Sequence, residues 1–463
     1  MLKDGAETAM QFTTAFDEVG KVSTRWLYAY QNGVTYYDWL ALNTSSNITP
    51  GLGYTQKGTG NAGTEQQYIF EGKPNNGTIL LSATDTGGPG SVESVSKTQY
   101  LLGNPYPSAI DAHTFIDDNV GVSSGTIYLW EQWAGNSHWL EAYEGGYATI
   151  NKLAKVRAYQ FVGLDGTVVG AQNGTMTPTQ YIPAGQGFIT EIVADGNIEF
   201  NNGQRIFKQE GLGESQFFRN GESAGMDETT TATDSTTIKI IRLEFRSSND
   251  LSRELVLGFS NITSDAFDYG YDSTPNEFRD NDLATLLDGR KMVIQAFSQI
   301  TDDKSVDLVM NSDGNYGHTI RLLETEHIED SRNIYIHDTQ EDIYFDIRHG
   351  DYEFTALIGE DANRFKLVFQ TAEQALSIDD LDTSDLTIFL NQVESKLYVK
   401  GMVGDAKSMT LTNMLGQTVR TFNDIENNAL QNGIYIGDHS SGVYLVNLIT
   451  KDNLKLNKKI VLE

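Results

Sequence analysis

From Leu386 to Glu463 the chain is a series of short strand-like runs broken by turn residues. The runs are Leu386–Leu390, Lys396–Val399, Met409–Thr412, Thr418–Phe422, Gly433–Ile436, Val443–Ile449 and Lys458–Leu462. Between them stand Gly401, Gly404, Asn413–Gly416, Asn427–Asn428 and Ser440–Gly442. Short, part-alternating strands at this spacing predict a small antiparallel sandwich of immunoglobulin-like proportions. Over the whole chain Gly and Thr are abundant, Pro is scarce and aromatic residues reach 10%, a composition that favours strands over helices. A chain of 463 residues exceeds one core, which implies about two to four domains. The expected fold is all-β: tandem antiparallel β-sandwich domains with a small immunoglobulin-like C-terminal domain.

Three motifs in that last stretch carry a family resemblance. They are Asn413-Met-Leu-Gly-Gln-Thr-Val419, Ser441-Gly-Val-Tyr-Leu-Val446 and Lys458-Lys-Ile-Val-Leu-Glu463. In this order, closing on the last residue, they resemble the type A C-terminal sorting domain of the Bacteroidetes type IX secretion system. On the resemblance, Asn413, Gly416, Gly442, Val443, Tyr444, Lys458, Lys459 and Glu463 form the sorting signal. It implies passage across the outer membrane to the cell surface or beyond. The implied partners are the type IX translocon and an outer-membrane shuttle protein, and the domain is ordinarily clipped off at the surface.

Charge supports a division of labour. From Leu386 onward eight Lys or Arg face seven Asp or Glu, so nearly all of the net charge of −30 belongs to the residues before it. The basic cluster Lys451, Lys455, Lys458 and Lys459 suits an acidic receptor, and equally a solvated edge that discourages aggregation. The overall acidity argues against nucleic-acid and anionic-membrane partners. There are no cysteines, hence no disulfides, thiolate metal sites or cysteine nucleophiles. No apolar run reaches the ~20 residues of a transmembrane helix. Met1-Leu-Lys-Asp-Gly-Ala6 is not a signal peptide, so the expectation is the C-terminal part of a longer secreted protein.

Residues 1–225 read as an aromatic-rich β domain with one short helix after Asn104-Pro-Tyr-Pro-Ser108, capped by Ser108. Lys73-Pro-Asn-Asn-Gly77, Gly103–Ser108, Trp130–Thr149 and Pro183-Ala-Gly-Gln-Gly-Phe188 resemble the region preceding the sorting domain in very large secreted proteins of gliding Bacteroidetes. That resemblance implies an adhesin or gliding context and no active site. Met226–Thr237 is polar, without apolar period, and reads as a linker. Residues 238–370 alternate as in Ile238-Lys-Ile-Ile-Arg-Leu-Glu-Phe245 and predict a β-sandwich. Residues 371–385 form a second linker, and 386–463 the sorting domain.

Catalytic motifs do not survive their context. Gly221-Glu-Ser-Ala-Gly225 matches a nucleophile elbow, but a Thr-rich linker follows where a helix is needed. Gly58-Thr-Gly-Asn-Ala-Gly63 matches a dinucleotide fingerprint, but a strand follows it. Seven histidines lack ligand spacing. Asn311, Asp313 and Asn315 start like a calcium loop, yet Tyr316 and Leu322 occupy the positions that need Gly and Glu, so a hairpin turn is expected. No enzyme activity is expected, and no cofactor apart from calcium. Asp268, Asp272, Asp280 and Asp282, with Asp265, form the oxygen-rich stretch that could hold it. Trp130, Trp133 and Trp139, beside Glu141, Tyr143 and Glu144, form the candidate ligand site. Exposed rings flanked by hydrogen-bonding groups stack on sugar faces, which would make surface glycans partners. The favoured alternative is that these rings fill a core, where large aromatics contribute most burial. The odd spacing of Trp130 and Trp133 sends them to opposite faces of a straight strand, so at least one of the two is expected to be core.

Overall fold

A computed structural model of the protein describes the chain apart from residues 1, 5–6, 8, 36–37, 60–65, 88–97, 135–143, 162–175, 216, 219–236, 248–250, 315–316, 372–386, 393, 401–403, 414–416, 438, 452–454 and 463. It is nearly all β, in several mostly antiparallel sheets, as expected. The chain divides into two compact units, Met1–Phe369 and Gln370–Glu463. No helix among the described residues is long and apolar enough to cross a membrane.

The first unit holds two large cores. One is covered by a five-stranded sheet in the order Lys155–Val156, Glu144–Ile150, Ile127–Ala134, Gly187–Ile192 and Thr98–Gly103. The helix Ala112–Asp118 packs Phe115 and Ile116 into this core beside Phe188 and Phe200. Its cap is Asp111, not Ser108: the Asp111 carboxylate accepts from the His113 and Thr114 amides at 2.8 and 3.1 Å. Ser108 is otherwise engaged, its carbonyl accepting from Asn104 and its hydroxyl from Arg205. A turn also divides the aromatic run Ser23–Tyr30. Ser23 accepts from the Arg25 amide and starts a 3-10 turn at Thr24–Trp26.

Three of the blocks noted in the sequence converge around Asn104. Its side-chain amide donates to the carbonyls of Ser108, Ile182 and Pro183, and its oxygen accepts from the Tyr106 amide. Asn75 donates to the Pro105 carbonyl, and the Tyr106 hydroxyl to that of Gly77. Asn104 is 5% exposed and fully bonded, so this motif ties three loops together.

The second core lies between two sheets. Leu251–Phe259, Lys239–Ser247, Gly317–Glu326 and Tyr352–Thr355 form one, with Ile294–Phe297 parallel to Leu251–Phe259. Arg290–Met292, Asp282–Leu287, Ser305–Ser312, Gly359–Val368, Tyr335–Asp338 and Ile343–Asp346 form the other. Period two places Ile241, Leu243 and Phe245 fully buried on one face and half-buried Arg242 and Arg246 on the other, where Glu244 between them is buried too, held by Arg246, Arg321 and Ser252. The apolar run Lys291–Phe297 breaks at Val293, and its halves join opposite sheets. Ser305–Ser312 and Gly317–Glu326 also lie in opposite sheets, so the expected hairpin after Asn311 is an arch between sheets.

This sandwich borrows from residues 1–225. Gln160–Phe161 pairs with Leu251–Ser252 at the sheet edge, and Leu153, Ala154, Val156, Ala158 and Tyr159 join the core. The linkers lie outside the described residues except Thr237 and Thr371. If protease cuts within 226–237, the two pieces are therefore expected to co-elute in native size-exclusion chromatography and to separate only in denaturant. Native separation of the pieces would contradict the shared core.

The second unit pairs a three-stranded sheet (Thr387–Asn391, Lys396–Lys400, Ile434–Tyr435) with a four-stranded one. The latter runs Thr418–Ile425, Ala406–Asn413, Gly442–Thr450, Lys455–Leu462. Leu397, Val399, Met409, Leu411, Val446 and Leu448 fill the space between them.

Candidate functional site

Ile127, Tyr128, Leu129 and Glu131 are all buried, so the strand is covered on both faces over residues 127–131. Trp130 is the exception at 37% exposed. Across the strand pair it meets Tyr147, the ring centroids 4.9 Å apart and the planes inclined at 62°. Its indole crosses the bare backbone of Gly145: a Cβ there would stand 2.2 Å from Trp130 Cζ2. One ring face thus rests on a glycine while part of the ring meets solvent. The register shifts between Gln132 and Ala134. That bulge removes the straight-strand premise behind opposite placement of Trp130 and Trp133. The side chains of Trp133 and Glu144, and Trp139, Glu141 and Tyr143 entirely, lie outside the described residues.

The carboxylates of residues 265–282 fold their own loop. Asp268 accepts from the Ser264 amide at 2.6 Å. Asp272, 1% exposed, accepts from the amides of Asp268 and Ala296, each at 2.6 Å. Burial pushes its carboxyl up to about 6, against those two bonds. Asp265 takes Ser298 and Lys304, and Asp280 is exposed. Asp282 is spent elsewhere, on Arg253, with Nε to Oδ1 at 2.8 Å and Nη2 to Oδ2 at 2.6 Å. No group of three or more ligating side chains stands close enough to hold a metal among the described residues. The loop is instead a seam between the two cores. The Tyr269 hydroxyl donates to the Ile116 carbonyl at 2.9 Å, and Lys152 N donates to the Gly270 carbonyl at 2.7 Å. A Cβ on Gly125 would stand 2.7 Å from Gly270 N, so the seam closes only over glycine.

Buried polar groups escaped the sequence reading, among them Arg253, Asp338 and His318. Arg253 also donates to the Glu277 carbonyl at 3.0 Å and lies over the Tyr159 ring at 5.4 Å. Asp338 is bound by Arg364 through Nε and Nη2, at 3.0 and 2.7 Å, and by the Tyr352 hydroxyl at 2.8 Å. Burial works against its charge, but those donors hold the carboxyl below its usual range. His318 stacks between Phe245 and Phe354, and burial lowers it to about 4. The available signal was a charged or imidazole side chain in an apolar strand, which names no partner.

The sorting motifs lie on the four-stranded sheet of the second unit. Asn413 ends its strand, its side-chain oxygen accepting from the Gln417 amide at 3.0 Å. Gly416 and Glu463 lie outside the described residues. The Tyr444 hydroxyl donates to the Ser440 carbonyl at 2.9 Å, pinning the turn before Gly442 and Val443. Lys458 and Lys459 are exposed on the terminal strand, opposite Val446 and Leu445. Lys451 pairs with Asp405 at 2.9 Å.

Residues 8–369 match the family described as "Domain of unknown function (DUF8693)". Residues 387–463 match the "Secretion system C-terminal sorting domain". No curated protein matches the chain. Among solved structures, "Tp47, the 47-Kilodalton Lipoprotein of Treponema pallidum" is similar at 9% identity, covering 78% of this chain and 91% of its own, with a TM-score of 0.14. A likeness that slight carries no argument.

Proposed function

We propose, for a chain that belongs to the DUF8693 family, that residues 1–369 are the non-catalytic, adhesin-like cargo of a type IX-secreted protein. The route itself follows from the C-terminal sorting domain, which directs secretion to the cell surface or extracellular space. What supports the cargo's role is where the first unit spends its buried charge. Asp272, Asp282 and Asp338 each bind protein donors that fix a loop or join strands. Scaffolds that present a surface need such rigid seams. The test compares the secreting bacterium with a strain lacking this chain, measuring attachment to surfaces and release of soluble sugar from polysaccharide. Reduced attachment with unchanged sugar release is expected. Unchanged attachment with lost sugar release would favour a hydrolase.

One observation favours a second reading, an exported glycan-binding protein: Trp130 lies on Gly145 with its ring partly free. Apolar sugar faces stack on such rings. Trp130→Ala is expected to cost about 1 kcal/mol or less, against about 3–5 for a buried tryptophan. In a glycan-array screen the same variant should abolish any binding of the intact chain. A loss of several kcal/mol in a urea melt would make the ring structural and remove this reading.

A further inference from the structure

Folding accounts for half of each terminal sorting motif. In Ser441-Gly-Val-Tyr-Leu-Val446, Tyr444 and Val446 enter the core while Val443 and Leu445 face away. In the terminal motif Ile460 and Leu462 enter the core while Lys459 and Val461 face away. The register sets Val443 opposite Val461 and Leu445 opposite Lys459. Directly opposed side chains on one face are neighbours, so these four make one contiguous strip. Leu445 is 40% and Val461 52% exposed. Thr412, opposite Leu445, and Thr410, opposite Asn447, continue the face without charge.

The strip runs along Lys455–Leu462, the edge strand of its sheet. Lysines on an edge strand discourage association. That role alone leaves the apolar neighbours unexplained, because Leu445 and Val461 beside Lys459 promote association. Lys451 spends its charge on Asp405, whereas Lys458 and Lys459 form no ion pair among the described residues. An apolar strip with a free cation calls for an apolar surface carrying a carboxylate.

We propose that Val443, Leu445, Lys459 and Val461 form the surface by which the secretion machinery reads the sorting unit, its partner placing a carboxylate opposite Lys459. The inference rests on secretion by the type IX route. The test displays the full chain in the secreting bacterium and measures its surface and periplasmic fractions. Leu445→Asp and Val461→Asp should each lower the surface fraction at least tenfold, with accumulation in the periplasm. The melting temperatures of the purified variants should stay at the wild-type value, since both positions face solvent. Lys459→Glu, which reverses the charge at an exposed position, should act in the same direction and decides the matter if an aspartate variant melts early. Phe389→Asp, on the other sheet and 43% exposed in the wild type, should be displayed normally. Normal display of all three strip variants, while a Lys458–Glu463 deletion is retained, would overturn the strip and leave the route intact. Equal retention of Phe389→Asp would overturn it too. Normal display of the deletion would remove the route, and this inference with it.

Discussion

Arg253→Ala is expected to destabilise the first unit by about 3–5 kcal/mol, the usual cost of leaving a buried charge without its partner. Arg253 is 4% exposed and Asp282 fully buried. Without the guanidinium, the carboxylate keeps, among the described residues, the backbone amides of Arg279 at 3.0 Å and Leu283 at 2.9 Å, with the charge of Arg279 acting from further off. Arg253 also touches Tyr159, part of the segment that residues 1–225 contribute to the sandwich. Its loss therefore loosens the sandwich and the segment borrowed from residues 1–225. All five tryptophans, at positions 26, 39, 130, 133 and 139, lie in the first unit, so their fluorescence in urea reports that unit alone. Replacing both partners, as Arg253→Met with Asp282→Leu, should cost less than Arg253→Ala, because no orphan charge remains. A loss below about 1 kcal/mol for Arg253→Ala would show that water or another donor reaches Asp282.

The same pair shows why the fold was more legible than the sites. In Ile238–Phe245 the side-chain period is fixed by backbone geometry, so alternation alone identified the strand and its buried face. In the last unit the spacing of runs and turns marked the strands, whereas the sorting motifs were legible only through their resemblance to a known sorting domain. Asp282 was grouped with Asp268 and Asp272 because they are close in sequence. Its partner stands 29 positions upstream, and only the neighbouring strands bring the two together. Both halves of Lys291–Phe297 are apolar, and nothing local marks the crossing between sheets at Val293. The helix cap moved from Ser108 to Asp111 because tertiary partners claimed Ser108 first. Trp130 was ambiguous because a strand covered on both faces loses its alternation, and the bulge beside it breaks the parity rule.

Lowering the pH from 7 to 4 should weaken the first unit through His318, and a single substitution should remove that share. The ring is 1% exposed between Phe245 and Phe354. Its Nε2 stands 3.3 Å from the Ser312 hydroxyl. Burial disfavours the imidazolium, the charge of Asp313 works against that and that of Arg364 with it, and the ring titrates at about 4. An unfolded histidine titrates near 6.5. Above 6.5 both states are neutral and the contribution is fully present. Between 6.5 and about 4 the unfolded chain takes a proton that the folded ring refuses, so stability falls with pH by on the order of 2–3 kcal/mol. Asp272 works the other way: raised to about 6, it gains a proton in the folded state first and stabilises the fold as pH drops toward 4. The wild-type acid limb therefore mixes opposing slopes, and a difference measurement is needed. His318→Phe keeps the aromatic stack and removes the titration, while Ser312 still donates to the Gly314 carbonyl at 2.5 Å. Relative to wild type, the variant should gain about 2–3 kcal/mol between pH 7 and pH 4 in urea melts followed by tryptophan fluorescence. A difference that stays constant across that range would mean that the folded ring takes its proton at the same pH as the unfolded chain, the charge of Asp313 offsetting the burial that surrounds it.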